Sequence, residues 1–125
     1  MVFYAQDIDK GKTKRDKPIV FSRVKVNEGG CYDNTTGVFT TTVPGTYVFT
    51  ATVRSGKENS HVFAWITVDD TYYTRLLGSY TSSASGSVSI QLGLGQKVWV
   101  KAESNVDDYW SDGLSFTGAL VQPQL

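Results

Sequence analysis

A chain of 125 residues has room for one core and one domain, spanning 1–125, because domains usually run to about 100–150 residues. Lysine plus arginine number 12 and so do aspartate plus glutamate, which leaves none of the basic excess that duplex binding by counterion release requires and so excludes a dedicated nucleic-acid binder. With 40% hydrophobic and 19% charged residues the chain can pack a core. One cysteine, Cys31, and one histidine, His61, leave no internal disulfide and few transition-metal or Cys/His constellations.

Valine, threonine and aromatic residues dominate over alanine and leucine, a composition suited to strands. The chain opens on Val2-Phe3-Tyr4-Ala5, without the basic start and apolar run of a signal peptide. A basic run, Lys10 to Lys17, reads as a solvated loop between the first two strands, although such charge also attracts sulfated or sialylated glycans at long range. Asn34-Thr35-Thr36 is a glycosylation sequon, meaningful only in a secretory pathway.

Gly45 to Arg54 alternates strictly, with Tyr47, Phe49, Ala51 and Val53 on one face, as a half-buried strand requires. Val62 to Val68 is apolar on both faces: Val62, Ala64, Ile66 and Val68 on one, Phe63 and Trp65 on the other. A lone two-sheet sandwich would leave those two rings in water, so Phe63 and Trp65 point to self-association, with cover by a neighbouring loop as the alternative. Ser87 to Leu92 turns Val88, Ile90 and Leu92 inward, and Leu114 to Leu120 reads as a closing strand in which Gly118 lets a ring or backbone approach closely. Turn signals fall between these runs at Asn27 to Gly30, Asp33-Asn34, Pro44-Gly45, Ser55 to Lys57, Asp69-Asp70, Ser85-Gly86, Gly93 to Gly95 and Asp112-Gly113. No segment keeps a 3.6-residue apolar period, so the fold class is all-β, a two-sheet jelly-roll sandwich of many short strands.

No run approaches the roughly 18 apolar residues of a membrane helix, so membrane insertion is not expected. Catalytic motifs are absent as well. Gly113-Leu114-Ser115-Phe116-Thr117 lacks the last glycine of a nucleophile elbow, and Gly93 to Val98 fails the dinucleotide fingerprint and runs into a strand. The sequence therefore predicts a non-enzyme.

Two aromatic and acidic segments stand out as loops able to hold a sugar, which needs a ring for its C–H face and carboxylates or amides for its hydroxyls. The first, from Asn105 to Asp112, carries Asp107, Asp108, Tyr109, Trp110 and Asp112; the second, from Asp69 to Arg75, carries Tyr72, Tyr73 and Arg75. Asp69 and Asp70 are candidate ligands for calcium, which takes carboxylate oxygens, although paired aspartates are also ordinary turn residues.

From Phe21 the chain reads Phe21, five residues, Asn27, four residues, Tyr32, six residues, Phe39, five residues, Gly45, then Tyr47 and Phe49. This spacing resembles the signature of the C1q globular-head family, related to the tumour necrosis factor jelly rolls. Val2 to Ala5, Tyr32 to Phe39, Leu92 to Val100 and Ser115 to Leu120 resemble the family's opening strand, turn, Val-Trp-Val strand and closing strand. Ala51, Ala119 and Gln96 depart from the usual residues and mark a divergent member, and these residues include no Gly-X-Y stalk. The resemblance implies a ten-stranded jelly roll, assembled as a homotrimer and secreted. It further implies a lectin that recognises glycans on microbial or host surfaces in innate immunity, without a required cofactor. The other function it allows is an extracellular structural or signalling protein that binds a protein partner or a calcium or mineral surface. In a secreted protein Cys31 either pairs between subunits or sits buried as a small hydrophobe.

Overall fold

A computed structural model describes residues 1–9, 13–103, 109 and 113–124. Among these residues ten strands carry the fold: β1 Val2–Ile8, β2 Phe21–Asn27, β3 Tyr32–Asp33, β4 Val38–Thr40, β5 Gly45–Val53, β6 His61–Val68, β7 Thr71–Ser79, β8 Ala84–Leu92, β9 Lys97–Ala102 and β10 Ser115–Pro123. They form two five-stranded antiparallel sheets, in the orders β2-β1-β10-β5-β8 and β3-β4-β9-β6-β7. The helical content of the described residues is one 3₁₀ turn at Glu28–Gly30. The all-β jelly roll expected from the sequence is therefore what the chain adopts.

Period-two patterning decides which residues meet between the sheets. β5 buries every second residue, Gly45, Tyr47, Phe49, Ala51 and Val53, and these face Phe116 and Gly118 of β10 and Phe3 of β1. Phe3 sits 5.0 Å from Phe116 edge-on, 5.0 Å from Tyr32 in a parallel stack and 5.3 Å from Phe39, so one ring ties the two sheets together. Gly118 is required by this packing. A Cβ there would run into the Phe3 ring and lie 2.7 Å from Phe49, well inside the roughly 3.5–4.0 Å of a carbon contact.

Polar ties fix the sheet ends. The Tyr32 hydroxyl accepts the Phe21 amide at 3.0 Å and donates to the Phe21 carbonyl at 3.0 Å, so both backbone groups of a buried residue are satisfied by one side chain. Burial pushes the Tyr32 phenol far above its usual range. The chain from Asp16 to Ile19 runs beside β9, its Ile19 amide bonded to the Val100 carbonyl at 2.7 Å and its Lys17 carbonyl to the Ala102 amide at 3.0 Å. Asp69 and Asp70 join β6 to β7 as a two-residue turn with φ of 46° and 70°. Aspartate tolerates that left-handed region better than most residues, and the twist of such a turn matches that of the strands.

Candidate functional site

The turn at Asp69-Asp70 delivers β7 to the edge of the second sheet, which corrects one expectation: Tyr72, Tyr73 and Arg75 lie on a strand, not in a loop. β7 hid in the sequence because it is an edge strand with only Leu76 and Gly78 buried, and because its register slips between Ile66 and Thr67 of β6, which disturbs the alternation. The result is an outer face built from three adjacent strands, β9, β6 and β7. Register places Trp65 of β6 between Arg75 of β7 and Lys101 of β9, with Phe63 beside Leu77 and Thr67 between Tyr72 and Trp99.

Side chains on this face interlock. The Trp65 and Tyr72 rings stack at 5.0 Å. The Arg75 guanidinium lies 4.6 Å from the centre of the Phe63 ring and 5.8 Å from that of Trp65, and pairs with Glu103 at 3.5 Å. Glu103 also accepts the Trp65 indole N–H. Lys101 donates to the Tyr72 hydroxyl and lies 4.7 Å from that ring's centre. That hydrogen bond, aided by the Asp16 and Asp70 carboxylates, holds the Lys101 ammonium above the ordinary lysine range. Each cation–π contact at such an exposed place is worth about 0.5–1 kcal/mol, so the lattice orders the face more than it stabilises the fold.

Phe63 and Trp65 are therefore not left in water by a single chain. Both are half-buried, Phe63 under Arg75 and Trp65 against Arg75, Glu103 and Tyr72, so part of the cover expected from a subunit contact comes from within the chain. Tyr72 and Tyr73 remain 47% and 46% exposed, enough for one side of each ring to meet a ligand. Sequence reasoning missed Lys101 and Glu103; their alternation after Val98-Trp99-Val100 was the available signal, since it puts both on the face of Trp99.

The other predicted segment divides. Asp107, Asp108, Trp110 and Asp112 lie outside the described residues. Tyr109 corrects the expectation of a displayed ring: it is 6% exposed, bridges Ser55 in backbone pairing, and donates its hydroxyl to the Phe63 carbonyl. A buried ring with an engaged hydroxyl plugs the sandwich end and offers a sugar no face.

Asp69 spends both carboxylate oxygens on the start of β9, accepting the Lys97 amide at 2.9 Å and the Gln96 side-chain amide at 3.1 Å. Among the described residues no three His, Cys, Asp or Glu side chains converge as a metal site. Asn34 is exposed in the turn after β3, its side-chain amide 3.4 Å from the Ser22 carbonyl, while Thr35 donates to Asp33 from both its amide and its hydroxyl. Those two bonds hold the Asp33 carboxyl below its usual range. Cys31 is 5% exposed, and burial pushes its thiol up. Of the basic run, Lys10 and Lys12 lie outside the described residues. A cleft of about 480 Å³ opens at the end of the sandwich near His61, and one of about 520 Å³ opens beside Tyr4, Asp7 and Arg23 on the first sheet. No helix among the described residues is long and apolar enough to cross a membrane.

Two five-stranded sheets in this order define a jelly roll of the kind shared by complement heads and tumour necrosis factor ligands. The fold matches the globular domain of zebrafish complement 1qA protein with a TM-score of 0.82 at 19% identity, covering 98% of each chain. It matches murine APRIL with a TM-score of 0.74 at 11% identity, covering 94% of this chain and 95% of that one. The family model of the C1q domain matches residues 2–121. The chain belongs to the C1q domain family. It is 33% identical over 123 residues to mouse complement C1q tumor necrosis factor-related protein 2, covering 91% of this chain and 41% of that protein. It is 33% identical over 115 residues to the mouse collagen alpha-1(X) chain, covering 85% of this chain and 16% of that one. The chain thus spans less than half the length of these relatives.

Proposed function

We propose that this domain is a secreted, homotrimeric recognition module that binds glycans on microbial or host surfaces, in the manner of a pattern-recognition lectin and without catalysis. The observation that carries the reading is the outer face of the second sheet. Half-exposed Tyr72 of β7 stacks on Trp65 and meets Lys101 of β9, Arg75 lies over Phe63 and Trp65 beside it, and half-exposed Tyr73 follows Tyr72 on the same strand, joining ring surface to hydrogen-bond donors. Relatives named for complement and for a collagen chain support an extracellular setting.

Assembly is assigned to the opposite side of the molecule. The open face of the first sheet presents Ser115, Thr117 and Ala119 from β10, Thr46, Val48, Thr50 and Thr52 from β5, and Ser85, Ser87 and Ser89 from β8, with no charge among them. A wide uncharged face of small side chains permits close approach of a second sheet, and Val2, Tyr4 and Val121 add exposed apolar surface at its margin. Trimerisation would multiply weak single sites into useful avidity.

A second reading, an extracellular signalling or structural protein with a protein partner or a calcium-bearing surface, is favoured by the tumour-necrosis-factor-related and collagen relatives. A glycan array run at two salt concentrations, with and without a chelator, separates the two. Chelator-insensitive binding that falls on Tyr72→Ala or Arg75→Ala supports the lectin. A blank array with an intact trimer supports the alternative.

A further inference from the structure

The end of the sandwich away from the Asp69-Asp70 turn holds a cleft of about 480 Å³ between the β5–β6 loop and the β7–β8 connection. Small-molecule sites span about 300–1,000 Å³, so this volume suits a single ring-sized ligand. Its lining is mixed. Tyr80 supplies one aromatic ring, Glu58 a carboxylate, Asn59 an amide, Ser79 and Thr81 hydroxyls and His61 an imidazole.

These groups are held in place. The Tyr80 carbonyl accepts Arg54 Nε at 2.8 Å, which ties down the Tyr80 backbone, and the Arg54 guanidinium lies 5.9 Å from the centre of the Tyr80 ring. The Ser79 amide and hydroxyl both donate to the Ser82 carbonyl, at 2.9 and 3.3 Å, closing the connection between β7 and β8. The Ser55 amide bonds to the Ser79 carbonyl at 3.3 Å and so joins the two walls of the cleft. Asn59 has a φ of 61°, a conformation that asparagine accepts at low cost, and the turn that contains it is closed by the Ser60 amide on the Lys57 carbonyl at 3.3 Å.

We infer that this cleft is a second carbohydrate site, distinct from the Tyr72 face, and that it takes one neutral hexose or N-acetylhexosamine ring. The ring face of Tyr80 suits the C–H surface of a pyranose, while Glu58, Asn59 and the two hydroxyls suit a set of neighbouring sugar hydroxyls that both donate and accept. The charge favours a neutral sugar: Glu58 is the lining carboxylate, and Arg54 is turned onto the Tyr80 carbonyl and ring. An acidic sugar would bring like charge toward Glu58 and find no lysine or arginine among the lining residues. The inference shares its ligand class with the function proposed above but none of its residues.

The test is saturation-transfer NMR and calorimetry on the full chain with D-glucose, D-galactose, D-mannose, N-acetylglucosamine and N-acetylneuraminic acid at millimolar concentration. At least one neutral sugar is expected to receive saturation from the wild type. Tyr80→Ala should weaken that sugar at least tenfold, and Tyr72→Ala should leave it within twofold. Glu58→Gln and Asn59→Gly alter exposed side chains that the fold does not need, so they decide the matter even if Tyr80→Ala misfolds; each should weaken binding several-fold with an unchanged melting curve. Neutral-sugar binding that survives Glu58→Gln and Asn59→Gly, or transfer to N-acetylneuraminic acid alone, overturns the cleft assignment and leaves the Tyr72 reading standing. Loss of glycan binding on Tyr72→Ala, with the cleft variants like wild type, does the same. Binding lost in the cleft variants but intact in Tyr72→Ala upholds the cleft and removes the other face.

Discussion

Gly118→Ala is the sharpest probe of the packing that joins the two sheets. The added methyl would collide with Cε1 of Phe3 and sit 2.7 and 2.8 Å from two carbons of Phe49, so a ring must move by about 1 Å to reach ordinary contact. Phe3 cannot yield freely, because Tyr32, Phe39 and Phe116 stand 5.0–5.3 Å from it on several sides. Overpacking of this kind costs about 1–3 kcal/mol, and replacing glycine returns about 0.4–1 kcal/mol through the unfolded chain, leaving a net loss of about 1–2 kcal/mol. For a chain of this length that is a fall in Tm of about 3–10 °C, read by circular dichroism at one fixed protein concentration because an oligomer's Tm depends on it. Phe3→Leu should make room for the methyl. The double variant should then lose less than the sum of the singles, by at least about 0.5 kcal/mol. A Gly118→Ala protein as stable as wild type, or strict additivity with Phe3→Leu, would refute the packing argument.

Tyr32→Phe leaves the Phe21 amide and carbonyl without partners in a buried setting and should cost about 1–3 kcal/mol by urea denaturation. Because the folded phenol titrates above the unfolded one, its contribution is complete below about pH 10 and is lost as pH climbs beyond it. The alkaline fall in wild-type stability should therefore be shallower in Tyr32→Phe, and an identical alkaline limb would count against the assignment. Asp69→Ala removes two hydrogen bonds and a residue suited to positive φ, so it should lose about 1–3 kcal/mol in chelator and in calcium alike, while Asp69→Asn, which tolerates the same φ but keeps one acceptor of the two, should lose less. A loss seen only in calcium would make Asp69 a metal ligand instead. Cys31, buried with a raised thiol, should react with iodoacetamide at least tenfold more slowly in the folded than in the urea-unfolded protein. A disulfide-linked dimer on non-reducing electrophoresis would contradict that burial.

The strands that face the core were legible because burial imposes a period of two. Gly45 to Val53 and the inward Val88, Ile90 and Leu92 follow it, and Gly118 declared its close approach by lacking a side chain. β7 was not legible, since an edge strand with a slipped register shows polar and aromatic residues in no fixed alternation. Tyr109 misled for a related reason: an aromatic between aspartates reads as displayed, and only the three-dimensional neighbourhood of Ser55 and Phe63 reveals it as a plug. Phe63 and Trp65 were correctly placed on the outer face, but cover comes from Arg75 and Glu103, which lie 10 and 38 residues beyond Trp65 along the chain, a pairing that period and composition do not encode.

The assembly claim is tested most directly by light scattering coupled to size exclusion on the wild type and on Thr50→Arg, which sets one charge in the middle of the uncharged face of β10, β5 and β8. The wild type should elute at three times the chain mass of 13.7 kDa, and Thr50→Arg should elute as a folded single chain with an unchanged far-ultraviolet spectrum. A wild type that is a stable single chain, or a Thr50→Arg protein that remains a trimer, would contradict the account.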